Sequence, residues 1–264
     1  MLIATWNVNS VKQRLGHLQK FLTETKPDVL CLQEIKCIDE AFPRLEVEEL
    51  GYNIAVHGQK GFNGVAILSR LPMADVTPRL PGDDDDAQSR YLEAVISVPG
   101  GGAVRVASIY LPNGNPIGTE KFTYKLAWME RLHRHAAELL ALEEPTVLAG
   151  DYNVIPEFKD VSDPESWAND ALLQPESRAA YRRLLALGYT DALRACDDRA
   201  ALYTFWDYQA GAWQKNKGIR IDHLLLSPQA ADRLQAVEIH KRMRALDKPS
   251  DHVPVSVTLD LAGA

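Results

Sequence analysis

Apolar positions follow two rhythms along this chain. Short runs rich in β-branched residues recur from end to end: LIATWNV (2–8), VLCLQ (29–33), NIAVHG (53–58), GVAILS (64–69), YLEAVISV (91–98), VRVASIYL (104–111), TVLAG (146–150), IDHLLLS (221–227) and VPVSVTLD (253–260). Runs of this length bounded by turn residues read as strands. Several are separated by only a few turn residues, as at GQKGFNG (58–64) and PGGG (99–102), which favours antiparallel hairpins over strict strand–helix alternation. The second rhythm is helical. Residues 11–26 place Val11, Leu15, Leu18 and Leu22 on one face, and the helix should stop at Lys26-Pro27, because the residue before a proline is pushed out of helical geometry. Residues 119–142 carry a stripe of Phe122, Leu126, Met129, Leu132, Ala136 and Leu139, and 177–187 a shorter one of Tyr181, Leu184 and Leu185.

Strands dominate, and each helix has one apolar stripe that must lie against something. The arrangement that satisfies both is an α/β fold of two facing sheets with helices on the outer faces. No repeat at solenoid periods occurs, and no Pro/Gly/Ser stretch is long enough to serve as an interdomain linker, so residues 1–264 are expected to form one domain.

Composition narrows the class. With 46% hydrophobic and 25% charged residues among 264, the chain reads as globular rather than disordered. Cys31, Cys37 and Cys196 show neither even count nor metal spacing, which points to a reducing compartment. No apolar run approaches a membrane span, and MLIATWNVNS lacks the features of a secretory signal, so the expectation is a cytoplasmic protein without membrane contact. The net charge of −7 argues, on its face, against nucleic acid as a partner. The acidic run Asp83–Asp86 reads as a solvated loop tip.

Candidate chemistry sits at the ends of the apolar strands. Glu34 follows VLCLQ, Asp151 follows TVLAG, Asp222 lies in RIDHLLL and Asp251 precedes HVPVSVTL. Amides accompany them: Asn7 and Asn9 in WNVN, and Asn153 in GDYN; His252 follows Asp251 directly. Carboxylates and amides with one or two imidazoles suit a hard cation such as Mg²⁺ or Mn²⁺. Zinc is disfavoured, since there is no HExxH pair and no Cys-x-x-Cys. His133 and His135, two apart on a helix, point to different faces and read as surface residues. A P-loop, a dinucleotide fingerprint and a GxSxG elbow are all missing from the sequence.

Seven segments in order, WNVNS (6–10), LQEIK (32–36), GQKGFNGVAILSR (58–70), SIYLPNG (108–114), GDYNV (150–154), RIDHLLLS (220–227) and KPSDHVPV (248–255), resemble the exonuclease III family of abasic-site endonucleases, within the endonuclease/exonuclease/phosphatase superfamily. The resemblance spans roughly residues 2–258. It implies a four-layered αββα sandwich, two packed mixed sheets flanked by helices, with the active site at one rim. It implies Mg²⁺-dependent hydrolysis of phosphodiesters in duplex DNA, with Mn²⁺ as a substitute. Cleavage would fall 5′ to abasic sites, with 3′-to-5′ exonuclease action and cleaning of blocked 3′ ends, by a monomer.

The resemblance also assigns roles. Glu34 matches the principal metal ligand, with Asn7 beside it and Asp251 an acid close to the metal. Asp151 matches the residue that positions or deprotonates the attacking water, and Asn153 the one that orients that water and the phosphate. Asp222 and His252 match a hydrogen-bonded acid–imidazole pair, Tyr110 a hydroxyl on the scissile phosphate and Asn113 a further phosphate contact. Phe205, Ile219 and Ile221 match the apolar lining of a pocket for a flipped abasic sugar, although isoleucines alternating about Arg220 also read as plain core.

Departures bear on specificity. Ile219 stands where some relatives have Trp, Pro116 and Gln209 where some have Arg and Met wedges, and Asn9 where some carry Asp. A member restricted to 3′-end trimming is therefore an alternative. A phospholipid or inositol phosphate phosphodiesterase fits the GQKG loop and Phe205 segment less well, and a non-catalytic regulator does not fit the complete set of acids. The charge objection weakens on inspection, because one lysine and ten acids fall between 137 and 176, more than the whole excess. Lys60, Lys121, Lys125, Lys215, Lys217 and Arg220 are expected on one DNA-facing side, giving salt-sensitive binding.

Overall fold

In a computed structural model of the protein, which describes residues 1–261, twelve strands form two six-stranded mixed sheets with helices on their outer faces. The first sheet runs in the order β11 (Leu234–Ile239), β12 (Val255–Leu259), β1 (Leu2–Asn7), β2 (Val29–Gln33), β4 (Val65–Ser69), β3 (Asn53–His57). The second runs β5 (Met73–Pro78), β6 (Tyr91–Ser97), β7 (Ala103–Tyr110), β8 (Thr146–Asp151), β10 (Asp222–Leu226), β9 (Thr190–Asp191). The helices are α1 (Leu15–Thr25), α2 (Arg44–Glu48), α3 (Glu120–Leu140), α4 (Pro175–Ala186), α5 (Ala192–Cys196) and α6 (Pro228–Ala231). No helix among the described residues is long and apolar enough to cross a membrane.

The period of two along each strand explains the layering. On β1, Ile3 faces inward with Val29, Ile67, Val106, Val147 and Val257 in the core between the sheets. Its neighbours Ala4 and Trp6 face outward against Leu18, Phe21 and Leu22 of α1. The outer face of the second sheet packs Ile109, Leu148 and Leu225 against Trp128, Met129 and Leu132 of α3 and Tyr181 and Leu184 of α4. Burial of each such side chain contributes about 1.5–3 kcal/mol.

Two helices differ from the periodic reading. The first begins at Leu15 rather than Val11, because residues 11–14 form a turn that buries Val11 ahead of the helix; it ends where expected, with Lys26 left-handed at φ 51° before Pro27. On α3, Phe122 and Leu126 are only half-buried, and Lys125 and Trp128 take the inner positions of the first two turns. The strands β5 and β11, both at sheet edges, were not evident in the apolar pattern, since most of their side chains are exposed or half-buried.

What positions the site is the register at the sheet centres. The pair β1–β2 is parallel, with Asn7 opposite Gln33, and β7–β8 is parallel, with Tyr110 opposite Asp151. All four strands end on the same rim, where antiparallel β10 begins with Asp222 opposite Asp151. Backbones approach closely there: a Cβ on Gly150 would lie 2.0 Å from the carbonyl oxygen of Ile109, so the position before Asp151 accepts only glycine.

Candidate active site

Asp151, the last residue of β8, is almost fully buried and is held on both oxygens. Its Oδ1 accepts the main-chain N–H of Asn153 at 2.9 Å, and its Oδ2 accepts Asn7 Nδ2 at 2.9 Å. The other hydrogen of the Asn7 amide goes to Glu34 Oε1 at 2.9 Å, so one asparagine bridges two carboxylates. Glu34 sits immediately beyond β2 in a left-handed conformation, φ 51°, which turns its side chain back over the rim. Lys36 closes the other side of Glu34 at 3.0 Å. Burial disfavours the Glu34 charge, but Lys36 and the Asn7 amide more than offset it and hold the carboxyl below its usual range.

His252 faces Asp151 from the opposite sheet. Its Nδ1 lies 2.9 Å from Asp222 Oδ2, and its Nε2 lies 3.7 Å from Asp151 Oδ2. Asp222 is fixed by the Thr204 hydroxyl, which donates to Oδ2 at 2.6 Å, while Ser250 Oγ docks the PSDH turn onto the Asn7 carbonyl at 2.7 Å. Burial of the imidazole opposes its charge, yet the carboxylates of Asp222 and Asp151 push its pKa up to about 10, so the ring is cationic at neutrality. Burial, with Asp222 adding to it and His252 opposing, raises Asp151 to about 7. Burial also raises Tyr110 well above its usual value, with Glu34 and Asp151 adding to the effect, so its phenol stays protonated.

The remaining residues of interest divide. Asn113 joins Asn153 through Nδ2 to Oδ1 at 3.3 Å, and Asn153 reaches the Leu111 carbonyl at 2.8 Å. Asn9 takes a hydrogen bond from Lys36 Nζ at 2.6 Å and donates to Asp251 Oδ1 at 3.0 Å. Ligand atoms of Glu34, Asp151 and His252 lie within 4.8 Å of one another; Asp251 is not in that group. Asn7 offers the two carboxylates its NH₂ and bridges them as a donor, and its oxygen accepts the N–H of Asn9 at 3.1 Å.

Two basic residues expected to face DNA do not. Arg220 is fully buried and lies between Asp160 and Asp191, each at 2.7 Å. Lys125 is fully buried on α3, whereas Lys60, Lys121, Lys215 and Lys217 are exposed. Ile219 and Ile221 are 1% and 2% exposed, in a cluster with Ile155, Val161, Leu172 and Leu173. The accessible part of that apolar patch is Phe205, whose ring packs edgewise 5.0 Å from His252, together with Trp167. His135 is also not a surface residue: it packs on Tyr91 and bonds Glu93 at 2.9 Å. Of the acidic loop, Asp86 is tied to Arg131 and Tyr124.

Sequence reasoning overlooked several groups that shape the rim. Arg90 lies over the Tyr110 ring at 4.9 Å and donates to the Tyr110 carbonyl at 3.3 Å. Lys36 stands two residues after Glu34, and both are left-handed, which brings their side chains together in a way no local pattern announces. Thr204 had no signal, since its partner Asp222 is distant in sequence, whereas Ser250 also accepts the His252 N–H two residues on, a local Ser turn.

The chain matches the Endonuclease/Exonuclease/phosphatase family over residues 4–252. It belongs to that family. Within the endonuclease/exonuclease/phosphatase family, exodeoxyribonuclease III of Haemophilus influenzae is 34% identical, over 97% of this chain and 98% of its own length. The structure of the 3′ phosphatase NExo from Neisseria, bound to a product DNA hairpin, matches with a TM-score of 0.93 at 39% identity, covering 98% of this chain and 99% of that one. An AP endonuclease from Archaeoglobus fulgidus matches with a TM-score of 0.93 at 36% identity, covering 99% and 100%. The two-sheet architecture is that of the family, and the protein is a hydrolase, a DNA-repair nuclease of the exonuclease III type.

Proposed function

We propose that the protein is a Mg²⁺-dependent nuclease acting on duplex DNA, which cleaves 5′ to abasic sites, removes nucleotides from 3′ ends and clears blocked 3′ termini. The observation that carries this reading is the juxtaposition of two differently biased groups: a cationic His252 fixed by Asp222, and Asp151 raised to about 7, 3.7 Å apart. Groups whose proton affinities are pushed apart across one small gap suit in-line hydrolysis of a phosphodiester.

The donor set fits a hard divalent cation. Ligand atoms of two carboxylates, Glu34 and Asp151, lie within 4.8 Å of one another and of the third member, His252, which is cationic and so unsuited to ligation. Glu34 would hold the ion, with Asp251 nearby, which leaves Asp151 to the water. When bound, Mg²⁺ supplies Lewis-acid stabilisation of negative charge on the phosphate oxygens.

The chain's own residues account for the rest. His252 Nε2–H donates to a phosphate oxygen as charge accumulates there, and Asp222 holds the ring in the one orientation that allows it. The protonated Tyr110 hydroxyl donates from the adjacent strand, while Asn113 and Asn153 orient the phosphate and the attacking water. Asp151, with a proton affinity close to neutral, accepts the proton of that water. Phe205 and Trp167 offer an apolar surface beside His252 for a sugar without its base.

A second reading, predominance of 3′-end processing, is favoured by the near-complete burial of Ile219 and Ile221, which leaves a shallow apolar surface. Its neighbours in structure include both a 3′ phosphatase and an AP endonuclease. Parallel assays of duplexes carrying an internal abasic analogue or a 3′-phosphate, with Mg²⁺ or EDTA, test both. Cleavage of neither with Mg²⁺ removes the proposal; cleavage of the 3′-phosphate substrate alone selects the second reading.

A further inference from the structure

A lysine with no charged partner lies directly behind the two asparagines assigned to the phosphate. Lys125, in the second turn of α3, is 0% exposed. Among the described residues it makes no ion pair. Its Nζ instead donates to two main-chain carbonyls, that of Pro112 at 3.1 Å and that of Asn153 at 2.6 Å. These belong to the two loops that leave β7 and β8 at the catalytic rim, and each carbonyl lies next to or within a residue of the Asn113–Asn153 pair.

The fit is close. Gly114 is left-handed at φ 89°, and a Cβ there would meet Lys125 Cδ at 2.6 Å and Lys125 Cβ at 3.2 Å. The loop is thus drawn down onto the lysine stem at a position where only glycine allows it. Burying an ammonium costs several kcal/mol unless the surroundings respond. Burial pulls this one down to about 7, even though Asp151 and Asp170 oppose the shift. An apolar residue would fill the same space but leave the buried Pro112 and Asn153 carbonyls without this donor, so the position is explained by the tether and not by packing alone.

We propose that Lys125 is a positioning residue for the phosphate-binding edge of the active site: by tethering the Pro112 and Asn153 carbonyls from beneath, it sets the separation of Asn113 and Asn153. The asparagine side chains share one long hydrogen bond of 3.3 Å, and Asn153 also reaches the Leu111 carbonyl at 2.8 Å, so their spacing depends on how the backbones of these two loops are held. Asn153 is left-handed at φ 47°, and its N–H holds Asp151, so the same tether also steadies the water-activating carboxylate. Loss of the tether loosens the alignment of phosphate and water without removing any group that touches them. This inference rests on the nuclease reading of the site.

The test compares wild type, Lys125→Met and Lys125→Arg in steady-state cleavage of a duplex with a 3′-phosphate and one with an abasic analogue, alongside thermal melts. Lys125→Met removes the donor at similar volume and is expected to fold with little loss of melting temperature. Its kcat should fall by about tenfold or more while KM stays within about threefold, and Lys125→Arg should recover most of the loss. Unchanged kcat in folded Lys125→Met overturns the proposal, as does a loss that merely follows the fraction of folded protein. Equal impairment of the Met and Arg variants also overturns it, since donors would then be irrelevant. If Lys125→Met does not fold, Lys125→Leu, which also carries no donor, is read by the same criteria. An inactive wild type would instead strike at the nuclease reading itself.

Discussion

His252 Nδ1 lies 2.9 Å from Asp222 Oδ2, and against the burial of the ring Asp222 does most, with Asp151 adding to it, to keep the imidazole charged. Replacing Asp222 with Asn keeps the shape and removes the negative partner. We expect kcat to fall by about 10²–10³-fold, with KM less affected. The imidazole, no longer held up to about 10, should lose its proton at lower pH, so the alkaline limb of the rate profile moves downward. A profile with an unmoved alkaline limb would separate His252 from the rate-controlling ionisation.

From the cluster of Glu34 and Asp151 we expect activity to be conditional on a divalent cation. EDTA should abolish cleavage, and Mg²⁺ or Mn²⁺ should restore it. Glu34→Ala should weaken Mn²⁺ binding, followed by calorimetry, and lower activity by about 10²-fold or more. Full activity in EDTA would count against the assignment of Glu34.

Arg220 makes its contribution to stability, not to DNA binding. Burial disfavours the charges of Asp160 and Asp191, but Arg220 holds both carboxyls below their usual range, with Arg194 assisting Asp160 and His223 assisting Asp191. Carboxylates depressed in the folded state stabilise it fully above their unfolded pKa, near 3.9. That contribution is lost as pH falls through the depressed values. Arg220→Met leaves two buried carboxylates without their partner and should cost about 3–5 kcal/mol in urea unfolding, with acid unfolding starting at higher pH. The salt dependence of DNA binding should not change, which distinguishes this role from a phosphate contact.

His135 provides a titration of opposite sign. Burial lowers its proton affinity, but Glu93, at 2.9 Å, raises it above the ordinary value. Its contribution is complete below an unfolded pKa near 6.5 and fades as pH rises through the higher folded value. Denaturation between pH 6 and 9 should show stability falling with pH, and His135→Gln should flatten that slope. An unchanged slope in the variant would place the titration elsewhere.

Exposed lysines should carry the electrostatic part of DNA binding. Substituting Lys60 or Lys215 with Ala is expected to weaken duplex binding across sequences and to reduce the slope of log K against log salt by about one each. Fluorescence anisotropy over a salt series reads both. Retention of the full slope in both variants would move the DNA to another face.

The strands and their layering were legible because inward and outward residues alternate without exception on the central strands: Ile3 in, Ala4 out, and Val147 in, Leu148 out. The edges were not, since β5 and β11 present exposed residues such as Val76 and carry no apolar face to announce them. Glu34, Asp151, Asp222 and His252 were legible as polar residues at the ends of buried strands. Arg220 and Lys125 were misread because charge alone signals exposure, and only three-dimensional partners, two aspartates for one and two carbonyls for the other, make their burial tolerable. Asn7 was legible at the end of β1, but its orientation depends on hydrogen bonds to Glu34, Asp151 and Asn9 that no local pattern specifies.

The pairing of β1 with β12 brings the first and last strands side by side, with the Met1 amine on the Leu259 carbonyl and Ser250 on Asn7. A chain still being synthesised therefore possesses Glu34 and Asp151 long before it possesses His252. Until those last strands emerge and insert beside β1, the rim has carboxylates but no imidazole and no PSDH turn to complete it. The imidazole and the carboxylates it faces therefore come from distant parts of the sequence, and only the pairing of β12 with β1 brings them together.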